Sequence, residues 1–123
     1  MHRFKFGDNR ELCAYLTGLV LSGKKTGTCW PHRDMEIGEP MVAVGDQAVY
    51  TDWDANDVCR IEYTKVELVP FNEVSEEFAL SEGENDSRDG WAGDHKKYFE
   101  RNGGWSEDMV LVCENFRVVE VFE

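Results

Sequence analysis

Hydrophobic and polar residues follow two different periods along this chain. Leu12, Leu16, Leu19 and Val20 recur at the three- and four-residue spacing of one helix face, and Gly23 supplies a natural stop. Asp8 followed by Glu11 resembles an acidic capping box, so the pattern predicts a helix over 9–22. Lys25 to Trp30 is rich in threonine and ends in an aromatic residue, which favours a strand. Pro31 to Gly45 carries two prolines and two glycines around Met41-Val42-Ala43-Val44 and reads as an irregular loop. Gln47 to Thr51 is a short strand, closed by the turn "DWDAND".

Val58 to Phe71 is a long strand whose phase changes: Cys59, Ile61 and Tyr63 occupy odd positions, Val66 and Leu68 even ones. One extra residue near Thr64-Lys65 returns the apolar set to the same face, so a bulge is expected there. Ser75 caps a short helix to Glu82, Gly83 ends it, and "GENDSRDG" is a polar loop. Trp91, His95, Tyr98 and Phe99 mark a further amphipathic helix that stops at Gly103-Gly104. Met109 to Phe122 is β-branched and aromatic, predicting two strands joined or bent around Glu114-Asn115. Bulge-prone strands interleaved with helices predict one α+β domain over residues 1–123, a small barrel of mixed strand direction with helices packed outside.

Composition narrows the function. The 25 acidic and 13 basic residues give a formal charge of −12, so a polyanion meets net repulsion while a small neutral ligand does not. Broad nucleic-acid binding is disfavoured, although Lys24, Lys25, Arg33 and Lys65 would form a local basic patch if the fold gathered them. Without a membrane-length apolar run or the apolar centre of a secretory signal, the expected location is cytoplasmic, with no membrane partner. Cys13, Cys29, Cys59 and Cys113 form no C-x-x-C pair and sit in apolar segments, as reduced structural thiols do. The histidines have no metal-ligand spacing, and Glu84, Asp86 and Asp89 lack the calcium-loop pattern, so neither metal nor cofactor is expected.

"SGKKTGTCW" (Ser22 to Trp30) carries the candidate chemistry. Two lysines and alternating threonines after an apolar run fit a solvated turn, a phosphate cradle, or a nucleophile with its base. Trp30 and Trp91 read as core or cleft-wall aromatics, with base stacking as the alternative, and His95 reads as a packed core histidine.

In order along the chain, "FGD" at Phe6, "LVLSGKKTGTCW", "GEPMVAVGD", "VELVPFNEV", "EFALSEGEND" and "DMVLVCENFRVV" resemble the ASCH domain family over nearly the whole sequence. The resemblance implies a β-barrel related to the RNA-binding PUA domain, with a cleft beside the Gly-Lys-Lys-Thr segment. Longer members carry additional sequence before "FGD", where five residues stand here. One branch resembles a small amidohydrolase that removes the acetyl group from the exocyclic amine of acetylated cytidine. Its Lys-Thr-Glu triad falls on Lys25, Thr28 and Glu82, with Lys24, Thr26, Gly27, Trp30, Arg33 and Trp91 as candidate substrate contacts. Other members resemble single-strand ribonucleases or RNA-binding modules, which makes single-stranded RNA the alternative ligand.

In the triad reading Thr28 is the nucleophile and needs a base within reach; Lys25 serves only if neutral. Glu82 favours the ammonium, so its expected role is to orient Lys25 and shuttle a proton to the leaving amine. Backbone N–H groups at Gly27 and Thr28 are candidates for the oxyanion hole. Residues three apart on a regular strand face opposite ways. The triad therefore requires irregular backbone between Lys25 and Thr28, with Gly27 as its expected seat.

Overall fold

The computed structural model describes residues 1–35 and 41–122, and part of the expected loop over 31–45 lies outside them. Its elements are β1 (His2–Phe4), α1 (Arg10–Leu21), β2 (Gly27–Pro31), β3 (Gln47–Thr51), β4 (Asp57–Pro70), α2 (Glu76–Ser81), α3 (Arg88–Arg101) and β5 (Val110–Val121). The strands form one five-stranded mixed sheet in the order β1-β3-β4-β5-β2, with β1 parallel to β3 and the remaining pairs antiparallel. This is a small α+β fold built on a curled half-barrel sheet. Among the described residues no helix is long and apolar enough to cross a membrane.

The long strand and its bulge organise the sheet. The β4–β5 register shifts between Tyr63 and Lys65, where the apolar phase changes, and again between Arg60 and Ile61. The first half of β4 lies between β3 and β5, while the first half of β5 lies between the end of β4 and β2. Because the Thr64 bulge restores the phase, Tyr63, Val66, Glu114 and Phe116 share one face. That face meets α1: Leu16 and Val20 pack with Phe6, Tyr50, Ile61, Tyr63 and Phe116. The opposite face carries Leu111 and Cys113 and meets α2 and α3 through Ala79, Trp91 and Phe99, with Phe71 just after β4 in the same cluster. Full burial of each large apolar side chain contributes about 1.5–3 kcal/mol.

Several local expectations are corrected. Asn9, not Asp8, caps α1 by accepting from the Leu12 N–H at 2.9 Å, because Asp8 is committed to Arg101 at 2.7 Å and Asn102 at 2.9 Å. Segment 110–121 is one continuous strand rather than two, since pairing with β4 carries it past Glu114-Asn115 without a break. The parallel strand β1 and the first turn of α3, capped by Ser87, were not legible in the periodicity.

Candidate active site

Two close backbone approaches bring the candidate residues together. Ser75 caps α2 by accepting from Phe78 N–H at 3.1 Å, and the helix ends with Glu82 as its C-cap. Gly83 then turns with φ +82°, and a Cβ there would lie 2.6 Å from the Lys24 carbonyl oxygen. Only glycine allows both the left-handed turn and this contact. On the other side, Lys24 and Lys25 N–H both donate to Leu19 O at 3.0 Å, and Thr26 N–H donates to Ser81 O at 2.8 Å. Lys25 therefore precedes β2. Gly27 opens that strand without a positive φ, correcting the expected distortion there; its missing side chain instead makes room for Ser81, whose Oγ would be 2.3 Å from a Cβ.

Glu82 is the hub of a buried polar cluster. Lys25 and Glu82 are each 2% exposed, with Lys25 Nζ 3.2 Å from Glu82 Oε1. The lysine also donates to Gly27 O at 2.8 Å and Glu82 O at 3.5 Å. Glu82 Oε2 accepts from Trp91 Nε1 at 2.6 Å and Cys29 Sγ at 3.2 Å, and His95 Nε2 lies 3.3 Å away. Burial, the largest influence on Glu82, opposes its charge, but Lys25, His95 and the donated hydrogen bonds prevail and hold its pKa at about 2. His95 Nδ1 is 2.9 Å from Trp91 O, so both ring nitrogens face acceptors and the doubly protonated ring satisfies both. Burial works against that charge, yet the charge and hydrogen bond of Glu82 raise the His95 pKa. Burial, then the Glu82 charge, pushes the Cys29 thiol well up, keeping it a donor.

Cys29, Glu82 and His95 place ligand atoms within 4.8 Å of one another, a grouping that sequence spacing did not suggest. Among the described residues these are the ones grouped closely enough to hold a metal ion. Here, however, the thiol and imidazole act as donors to one carboxylate, and Lys25 lies beside it, an arrangement that opposes a further cation.

Lys25, Thr28 and Glu82 line one cavity of about 300 Å³, together with Phe6 and His95. Thr28 also borders a second, larger cavity of about 690 Å³, shared with Trp30 and Glu114. Thr28 and Glu114 are direct cross-strand partners and so share a face, while Cys29 and Cys113 share the opposite one. Phe116 N–H donates to Thr26 O at 3.0 Å, and by antiparallel alternation the Thr28–Glu114 pair is also hydrogen-bonded. The Thr28 N–H is thus taken by the ladder, and Gly27 and Cys29 direct theirs away from β5, to the side where Lys25 Nζ meets Gly27 O.

The remaining candidates disperse. Trp91 is fully buried, so it cannot stack a base; its indole instead fixes Glu82. Trp30 is half-buried on the larger cavity. Lys24 and Thr26 are exposed, and Gly27 is buried. Arg33 is exposed and donates to Gly104 O at 2.7 Å. The expected basic patch loses Lys25 to the buried ion pair, and Lys65 sits 3.5 Å from Glu67. Glu114 was missed because a glutamate inside an apolar run carries no motif; a lone charge in "LVCENF", at a buried strand position, was its one signal.

A family model described as the ASCH domain matches residues 2–120. The crystal structure of an ASCH domain from Lactobacillus crispatus JV V101 is 36% identical with a TM-score of 0.86, the alignment covering 97% of this chain and 79% of that one. A crystal structure from Enterococcus faecalis V583 is 33% identical with a TM-score of 0.88, covering 98% and 81%. No curated protein matches the chain. With the family model spanning nearly its whole length and both crystal structures sharing its fold, the protein belongs to the ASCH domain family.

Proposed function

We propose that the protein is an amidohydrolase that removes an acyl group from the exocyclic amine of a cytosine-type nucleoside. The observation that carries this reading is the convergence of Lys25, Thr28 and Glu82 on one cavity, with the lysine and glutamate already locked in a buried ion pair. In the reaction the Thr28 hydroxyl oxygen bonds to the acyl carbon, the C–N bond breaks as the amine leaves, and water then hydrolyses the acyl-threonine. Lys25 Nζ donates to Gly27 O and to Glu82 Oε1, and a carboxylate at that distance favours the ammonium over a neutral base for Thr28. Its contribution is therefore positive charge beside the developing oxyanion, in a site shielded from water. Glu82 fixes that charge in place. The Gly27 and Cys29 N–H groups, on the side of β2 away from β5, are the backbone donors suited to the same oxyanion.

The net charge of −12 and the burial of Lys25 favour a neutral nucleoside over RNA. The test is incubation with acetylated cytidine and, separately, single-stranded RNA, using wild type, Lys25→Ala and Thr28→Ala. Deacetylation that disappears in both variants and is indifferent to salt supports the reading. Cleavage or binding of RNA that weakens steeply with salt, without deacetylation, overturns it.

A further inference from the structure

The Glu82 carboxylate accepts from Lys25 on one oxygen, meets Cys29, Trp91 and His95 on the other and is held ionised with a pKa of about 2, so it is a poor source of a proton for a leaving amine. Thr28 has a second carboxyl beside it. Glu114, directly across the β2–β5 ladder, is 5% exposed and belongs to none of the ion pairs among the described residues. A hydrogen-bonded antiparallel pair separates its Cα atoms by about 5.5 Å with both side chains on one face, within reach of a hydroxyl–carboxyl contact. Both residues border the 690 Å³ cavity. A buried acid without a cation is costly to keep unless it has work to do.

We propose that Glu114 is the proton-transferring residue of the Thr28 site. This rests on the hydrolase reading for its substrate but not for its chemistry. The Glu114 carboxylate takes the Thr28 hydroxyl proton as the oxygen bonds to the acyl carbon, and passes it to the amine nitrogen as the C–N bond breaks. It then takes a proton from the attacking water and returns it to Thr28 as the acyl–oxygen bond breaks, leaving carboxylic acid and free enzyme. Each proton is accounted for, and no further reactant is needed. Burial, the dominant influence, raises the Glu114 pKa to about 7 against a smaller lowering influence of the Trp30 side chain, which places the exchange in the working range. Among the described residues, the other charged and titratable groups lining the cavity are His2 from β1, Lys5 just after it, Cys29 from β2, Asp34, Asp46, Tyr63 from β4 and Tyr98 from α3. Of these, Lys5 is turned to Trp53, donating to its carbonyl at 3.3 Å.

The test measures kcat/KM against pH for acetylated cytidine with wild type and Glu114→Gln, and follows acetylation of Thr28 by p-nitrophenyl acetate with mass spectrometry. Wild-type kcat/KM should rise with pH and level off above about 7. Glu114→Gln should lose about 100-fold in kcat/KM or more at near-constant KM, flatten the profile, and leave Thr28 unacetylated. Circular dichroism confirms that the variant is folded. If wild type is acetylated at Thr28 but leaves acetylated cytidine intact, the substrate reading fails and the proton-transfer role stands when Glu114→Gln blocks acetylation. Acetylation at equal rates in both proteins, or in neither, overturns the role of Glu114.

Discussion

The Trp91 indole nitrogen meets Glu82 Oε2 at 2.6 Å, so a fully buried aromatic of the hydrophobic core also holds one corner of the polar cluster. Trp91→Phe keeps most of the ring and removes the donor. The loss of a hydrogen bond to a charged group should cost about 1.5–3 kcal/mol, read from urea unfolding. A cost near zero would show that the indole N–H does not hold the carboxylate.

The Lys25–Glu82 pair should be worth little as a pair and much to each partner alone. Glu82→Gln or Lys25→Met strands a buried charge and should destabilise by about 3–5 kcal/mol, whereas Lys25→Met combined with Glu82→Gln, whose amide oxygen still accepts from Trp91, should recover part of that loss. A double-mutant cycle by thermal or chemical unfolding measures the coupling.

Stability should decline at both ends of the pH scale through this cluster. Glu82, with its folded pKa lowered to about 2, contributes fully above the ordinary carboxyl value and loses that contribution as pH falls toward 2. His95, with its folded pKa raised, contributes fully below its ordinary value and loses that contribution as pH rises through the folded one. Unfolding free energy measured across pH should therefore lose its high-pH decline from this source in His95→Gln.

Glu114 has the opposite sign from Glu82. Its folded pKa of about 7 lies above the ordinary carboxyl value, so the folded state binds the extra proton and stability falls between the two. At pH 8 Glu114→Gln should stabilise the fold, by up to roughly 3 kcal/mol at about 1.4 kcal/mol per unit of pKa. A gain in melting temperature accompanied by lost turnover would mark the residue as kept for chemistry.

Gly83→Ala tests the approach of α2 to the lysine segment. Its positive φ and the 2.6 Å clash with Lys24 O should together cost upwards of about 2 kcal/mol, above the strain penalty alone. Gly23→Ala, also at positive φ but in open space, should cost less by the contribution of the clash.

Periodicity made α1, β3, β4 and the bulge at Thr64 legible, because each buries one face and the apolar spacing reports that face directly. It could not reveal β1, whose His2-Arg3-Phe4 leaves too few residues for any period to show. Lys25, Thr28 and Glu82 were legible only through resemblance to a family, since their approach depends on a glycine turn at 83 and not on spacing. The donors around Glu82 come from β2 and α3, and cross-strand placement of Glu114 is set by pairing between residues 86 positions apart. Such long-range neighbours leave no periodic trace. Asp8 misled because a competing arginine at the far end of α3 claims it.

The pairing of Thr28 with Glu114 also sorts two nucleophiles that adjoin each other in the chain. A slip of β2 by one position along β5 would turn the Cys29 sulfur toward the Glu114 side and send the Thr28 hydroxyl among the apolar rings beneath α3. Alignment of two backbones, more than the identity of any single side chain, thus decides whether this margin of the sheet presents an alcohol or a thiol to what enters the cavity.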